Sequence, residues 1–108
     1  MDLETFGEIE IDGTKYILKK ISFEWGRRIL ALILSGGNGE KAISSILRDP
    51  DLPFLEKVIN ERVYFEKDGE IGKVSKEYLE NNQSIYIELL AKVSEAYSNP
   101  FLPKGSGA

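Results

Sequence analysis

The chain has 108 residues and a net charge of −4, with 42% hydrophobic, 10% aromatic and 30% charged residues. This length fits one compact domain, and the apolar share is normal for a globular protein. No apolar run approaches the roughly 18 to 20 residues that cross a bilayer. The absence of cysteine and histidine excludes disulfides, thiolate zinc sites and the commonest general base. The composition therefore argues against an enzyme and predicts no cofactor.

Charge is distributed unevenly along the chain. The net charge is −5 over residues 1–13, +4 over residues 14–35 and −3 over residues 36–108. A net acidic chain without a long basic stripe is a poor candidate for nucleic-acid binding. The early acids and the following bases can pair across a hairpin, or the basic cluster can meet an acidic protein partner.

A β-hairpin is predicted at the N-terminus. Two strand-like runs, residues 5–11 and 14–18, flank Asp12 and Gly13, a pair that supplies the positive φ angles of a tight turn. In the first run isoleucines alternate with acidic residues, so one face is apolar. A hairpin alone is marginally stable, so this face needs a cover.

The first helix is predicted from Phe23 to about Leu34, with Ser22 as its N-cap. The glycine-rich segment that follows stops it. Trp25 falls between the apolar and solvent sides, which favours a place in the core or at its edge. The wide apolar surface of this helix consists of Phe23, Ile29, Leu30, Ile33 and Leu34.

Two further helices are predicted in the middle of the chain. A short one covers residues 40–47, and another covers residues 52–61 with Asp51 as its cap. Residues 63–74, around a second Asp-Gly pair, form either a smaller hairpin or an extended loop.

The C-terminal part is predicted to be helical. Ser75 starts one helical turn, and a final helix spans residues 83–97, capped by Asn82 or Ser84. Its inward stripe consists of Ile85, Leu89, Val93 and Tyr97.

These elements predict an α+β fold, mainly α, in which an N-terminal β-hairpin packs on a small helical bundle. We expect one compact domain over residues 1–101. Residues 102–108 have linker composition, so we expect a mobile tail there.

Patterns that could carry chemistry have simpler interpretations. Asp49 and Asp51 lack the further oxygen ligands of a calcium loop, so turn and capping roles are favoured. The glycines of segment 36–39 follow a helix rather than a strand, and no phosphate-loop lysine follows them. The serines have no histidine to activate them. No catalytic, cofactor or metal residue is predicted.

Aromatic side chains are the remaining candidates for partner binding. Tyr64, Phe65 and Tyr78 could stack on bases, but few basic residues are interleaved with them. Contact with a protein partner, or packing in the core, is therefore favoured for these three. Trp25 is a fourth candidate partner contact, and core packing is the alternative for at least half of the set.

The chain resembles the small tail assembly chaperones of long-tailed bacteriophages and prophages. The order of a hairpin, helices and a late helix is similar, and the last helix of that family commonly leads into an Asn and Phe ending, here Asn99 and Phe101. The resemblance covers residues 6–101. The segments that carry it in the C-terminal half are 55–59, 63–65, 68–69, 75–79 and 89–101.

The resemblance implies a binding protein in the cytoplasm of a bacterial host, with no membrane association. Such chaperones coat the helical tape measure protein before the tail tube polymerises, and then give way to tube subunits. Self-association into a homo-oligomer is expected, because a chaperone on a long client gains from multivalency. The alternatives are a small virion structural component of the tail or baseplate, and an intracellular protein-binding regulator.

Overall fold

Two β-hairpins, each turning on an Asp-Gly pair, form the sheet of this protein. The structure is a computed structural model that describes residues 4–36 and 46–101. The first hairpin joins β1 (Thr5–Ile11) to β2 (Thr14–Lys19), and the second joins β3 (Val63–Lys67) to β4 (Glu70–Lys73). All four turn residues have positive φ, which glycine adopts freely and aspartate tolerates. Their φ angles are 49° at Asp12, 79° at Gly13, 52° at Asp68 and 83° at Gly69.

The two hairpins pair side by side into one antiparallel sheet with the order β1-β2-β3-β4. At the junction Leu18 lies opposite Val63, and Tyr16 lies opposite Phe65. The hairpin alternative for residues 63–74 is therefore confirmed. The sequence did not predict that this hairpin extends the N-terminal one.

Four helices lie entirely within the described residues: α1 (Phe23–Gly36), α2 (Leu52–Arg62), α3 (Lys76–Asn81) and α4 (Tyr86–Ser98). Short 3-10 turns at Gln83–Ile85 and Asn99–Phe101 flank α4. Residues 46–48 are helical, whereas the rest of the helix predicted over 40–47 lies outside the described residues, as does the tail 102–108. The described helices include none long and apolar enough to span a membrane.

Two of the predicted helix caps are confirmed. The hydroxyl oxygen of Ser22 accepts a hydrogen bond from the backbone N–H of Trp25 at 3.2 Å, and Ser75 accepts one from Tyr78 at 3.1 Å. Side-chain oxygens at this position satisfy amides that the first helical turn leaves without partners.

The other predicted caps are wrong. Asp51 stands at the N-cap position of α2 but makes no capping hydrogen bond. Neither Asn82 nor Ser84 caps α4, because both precede its N-cap position. That position is taken by Ile85, the last residue of the 3-10 turn, whose side chain makes no capping hydrogen bond. The side-chain amide of Asn82 instead donates to the carbonyl oxygen of Tyr78 at 2.8 Å.

The core lies between one face of the sheet and the helices. The predicted inward stripe of α4 is buried along its whole length, and α1 packs chiefly against α4. The α+β fold is therefore confirmed, with the difference that the helices cover four strands rather than two. The core includes Leu18, Val63, Ile29, Leu32, Val58, Leu89 and Val93.

The phase of α1 differs from the prediction. Ile29 and Leu32 are buried, whereas Phe23 and Leu34 are 67% and 66% exposed. Phe23 and Leu34 therefore do not face the core. The physical reason is that the apolar arc of this helix is wider than the surface that α4 and the sheet can cover.

Candidate protein-binding surfaces

The four aromatic residues predicted as partner contacts lie in three different places. Tyr64 and Phe65 are neighbours in β3, so their side chains point to opposite faces of the sheet. Phe65 and Tyr78 pack against the core beneath the sheet, and Trp25 packs against it on α1. The structure therefore does not bring these four residues together into one surface.

Phe65 and Tyr78 belong to a cluster of three aromatic rings at the edge of the core. Their rings are stacked with centroids 4.6 Å apart. The hydroxyl of Tyr78 also shares a hydrogen bond of 2.8 Å with the hydroxyl of Tyr16. Burial, reinforced by this hydrogen bond, raises the pKa of Tyr16. Both predicted contact residues thus have packing partners inside the chain.

Trp25 on α1 faces α2 and is flanked by cationic side chains of that helix. Its ring meets Phe54 edge-on at a centroid distance of 5.5 Å. The ammonium group of Lys57 lies 5.6 Å from the Trp25 ring centroid, and the guanidinium group of Arg62 lies 5.2 Å from it. Both distances allow cation–π attraction. Trp25 therefore sits at the core edge, as the sequence predicted.

An ion pair explains why Asp51 does not cap α2. The guanidinium of Arg28 donates to the Asp51 carboxylate at 2.9 Å and lies 3.7 Å from the ring centroid of Phe54. A carboxylate oxygen of Asp49 in turn accepts from the backbone N–H of Asp51 at 2.8 Å. Asp49 thus has the predicted turn role, and Asp51 joins α1 to α2. Within residues 4–36 and 46–101 no group of acidic side chains is arranged to hold a metal ion.

An apolar line on α1, here called the α1 stripe, consists of the exposed Phe23 and Leu34 with the half-buried Leu30 between them. Leu30 and Leu34 lie about two and three turns beyond Phe23, so the three side chains share one side of the helix. The ring centroids of Phe23 and Phe101 are 5.3 Å apart. The guanidinium carbon of Arg27 lies 5.6 Å from the ring centroid of Phe23. The sequence assigned this stripe to the core; the excess width of its apolar arc is the signal that could have identified it.

The face of the sheet turned away from the helices, here called the outer face, is the second candidate surface. It carries two rows of side chains, each running across all four strands. The Tyr64 row consists of Glu8, Ile17, Tyr64 and Lys73, and the Ile71 row consists of Glu10, Lys15, Glu66 and Ile71.

Charged pairs lie beside apolar residues on the outer face. The Nζ atom of Lys15 in β2 lies 3.4 Å from a carboxylate oxygen of Glu8 in β1 and 3.8 Å from one of Glu66 in β3. Just outside the two strands, the Nζ atom of Lys20 lies 3.7 Å from a carboxylate oxygen of Glu4. The predicted pairing of first-strand acids with second-strand bases is therefore confirmed. Ile71 is 58% exposed.

A groove of about 410 Å³ separates α2 from α3. The groove continues toward the start of α4, where the hydroxyl of Tyr86 donates a hydrogen bond of 2.6 Å to the carboxylate of Glu56. Burial, and then this hydrogen bond, raise the pKa of Tyr86. The side-chain oxygen of Asn60 is buried without a hydrogen-bond partner among the described atoms. The carboxylate of Glu56 is thus engaged by Tyr86 within the chain.

Comparison with known proteins gives no further identification: no family model, no curated protein and no solved structure matches this chain.

Proposed function

We propose that this chain is a non-enzymatic binding protein of the tail assembly chaperone class that its sequence resembles, with the helical tape measure protein as its client. The observation that supports this most is the α1 stripe. Its two terminal residues, Phe23 and Leu34, are each two-thirds exposed on a regular helix. Large apolar side chains in such a line favour protein contact.

A helical client fits the shape of this surface. The stripe extends over about three helical turns, roughly 16 Å at 1.5 Å per residue, which is the length of one ordinary helix–helix contact. An amphipathic client helix can lay its apolar seam along it, as in other helix recognition modes. Arg27 beside the stripe favours a client helix with acidic residues at the edge of that seam.

Co-expression tests the proposal directly. This chain is produced together with the tape measure protein encoded in the same gene neighbourhood, and the soluble fraction is analysed for a complex. We expect a soluble complex, and an insoluble client when this chain is omitted. A client that is soluble alone and does not co-purify contradicts the proposal and favours a virion structural component.

Matched variants locate the client surface. Phe23→Gln and Leu34→Gln remove apolar area from the α1 stripe while keeping good helix propensity. Ile71→Thr is the control, because Ile71 is 58% exposed on β4, on the outer face of the sheet rather than on α1. We expect the two stripe variants to lose the complex and the control to retain it. Equal loss in all three variants contradicts the assignment of the stripe.

A further inference from the structure

We propose that two copies of this chain associate through their outer faces, with the two sheets packed against each other. This goes beyond the proposed function, because the outer face and the α1 stripe are separate surfaces. The inference depends on the order of charges along the two rows, which the strand register determines. Acidic residues lie at the β1 side of both rows, and Lys73 lies at the β4 side.

A two-fold axis parallel to the strands makes the Tyr64 row complementary to itself. Such an axis places β1 of one copy over β4 of the other, and β2 over β3. Glu8 then faces Lys73 of the second copy. Ile17 faces Tyr64 of the second copy between the two charge pairs, and the ammonium group of Lys19, 5.8 Å from the Tyr64 ring centroid, lies beside this contact.

The same axis places the Ile71 row in a favourable arrangement. Lys15 faces Glu66 of the second copy, so two further opposite-charge pairs form. Glu10 meets the aliphatic Ile71 at the edge, where its carboxylate can stay in water. No like charges face each other in either row.

The other two-fold arrangement is unfavourable, which selects between the two. An axis in the plane of the sheets but perpendicular to the strands would place β1 over β1. Glu8 would then face Glu10 of the second copy, and Ile17 would face Lys15. Like-charge contacts across an interface cost several kcal/mol. The charge order therefore favours one sheet-on-sheet geometry.

The available charges support an intermolecular role. Lys73 and the carboxylate of Glu10 form no ion pair with any residue in the described ranges 4–36 and 46–101. Lys15 lies between Glu8 and Glu66 at the centre of the face. In the dimer, Glu8 of the second copy lies opposite Lys73, which has no ion-pair partner among the described residues of its own chain. At the centre, Lys15 of each copy lies opposite Glu66 of the other.

The size of the outer face determines the strength of the dimer. Four strands and about four residues per strand cover roughly 19 by 13 Å at ordinary spacings. This is smaller than the surface of a standard stable complex. The dimer is therefore reversible and forms at micromolar or higher concentration, and added salt weakens it.

Charge inversion tests the pairing. Sedimentation velocity is measured on the full chain over a range of about 10 μM to about 1 mM. The average mass of the wild type should rise toward that of two copies as the concentration increases. Glu8→Lys and Lys73→Glu should each raise the dissociation constant of the dimer about tenfold or more, because each variant places like charges at two symmetry-related contacts. Glu80→Lys, which changes the charge by the same amount on exposed α3, should leave the dimer unchanged.

Mixing the two variants gives the sharpest result. One copy with Glu8→Lys and one with Lys73→Glu restore both opposite-charge contacts, so the mixture should form a heterodimer at concentrations where each variant alone is mostly monomeric. Circular dichroism checks that both variants are folded. A wild type that is monomeric throughout, a mixture that does not associate, or a dimer lost with Leu34→Gln rather than with the charge inversions overturns the proposal.

Discussion

The ring of Phe65 lies against Gly72 on the neighbouring strand, so closely that a β-carbon at position 72 would be 2.7 Å from the Cε2 atom of Phe65. The two residues are direct cross-strand partners. The same ring stacks on Tyr78, which holds it from the helical side. Glycine is therefore needed in β4 because of the space its partner occupies, and not because of an unusual backbone angle.

Replacing this glycine should destabilise the protein. Gly72→Ala forces the Phe65 ring off Tyr78 or shifts β4, and we expect a loss of about 1 to 3 kcal/mol, as for other overpacked sites. The matched control is Gly7→Ala in β1, where an added β-carbon meets nothing within 4 Å. Gly7→Ala should be neutral or stabilise by up to about 1 kcal/mol. Chemical denaturation measures both, and equal values would show that the Phe65 ring moves aside freely.

Two leucines of α1 should differ sharply in their contribution to stability. Leu32 is 2% exposed and Leu34 is 66% exposed. Leu32→Ala should cost about 2 to 5 kcal/mol because it leaves a cavity. Leu34→Ala should change the free energy of unfolding by no more than about 0.5 kcal/mol. Urea denaturation of both variants checks the phase of the helix, and the reverse order would contradict it.

The caps provide a third comparison between two serines. Ser75→Ala removes the acceptor for the N–H of Tyr78 and should cost about 0.5 to 2 kcal/mol. Ser84→Ala should have little effect, because Ser84 lies within a 3-10 turn and does not cap α4. Thermal unfolding monitored by circular dichroism gives both values. A larger loss for Ser84→Ala would mean that α4 begins differently in solution.

Buried tyrosines should make the protein sensitive to high pH. Burial raises the pKa of Tyr97 and of Tyr16 above the ordinary value of about 10. The unfolded chain therefore loses these protons at lower pH than the folded chain. The free energy of unfolding that the protonated phenols contribute is fully present below pH about 10 and falls as the pH rises above it. Denaturation at a series of alkaline pH values measures this fall.

A variant separates this effect from general alkaline unfolding. Tyr97→Phe removes one of the three phenols whose pKa burial raises, together with the hydrogen bond that it donates to the carbonyl oxygen of Lys19. The variant should be less stable near neutral pH but lose less stability between neutral and alkaline pH. An unchanged alkaline slope would contradict a raised pKa for Tyr97.

Features set by neighbouring residues were predictable from the sequence. Asp12 and Gly13 define a turn by their backbone preferences alone, and Ser22 and Ser75 define helix starts by hydrogen bonds within one turn. The pairing of β2 with β3 depends on residues far apart in the chain, and strand alternation does not say which strands become neighbours. The phase of α1 was missed because its apolar arc admits several orientations.

The candidate surfaces were only partly predictable. Tyr64 lies on the open face of the sheet, whereas Phe65 and Tyr78 stack beneath it. The alternation of side chains within a strand already separates Tyr64 from Phe65, once residues 63–67 are accepted as a strand. The rows of the outer face required the register of three strand pairs, which no single segment contains.

The junction between β2 and β3 has a consequence for synthesis on the ribosome. Leu18 and Val63 pair although they are 45 positions apart in the chain. At about 5 to 20 residues per second, β3 emerges roughly 2 to 9 seconds after β2. During this time the first hairpin exposes an unpaired strand edge, the kind of surface that recruits other chains. The lysines at positions 15 and 19 lie on β2 itself, and charged side chains on an edge strand oppose its pairing with another chain until β3 arrives.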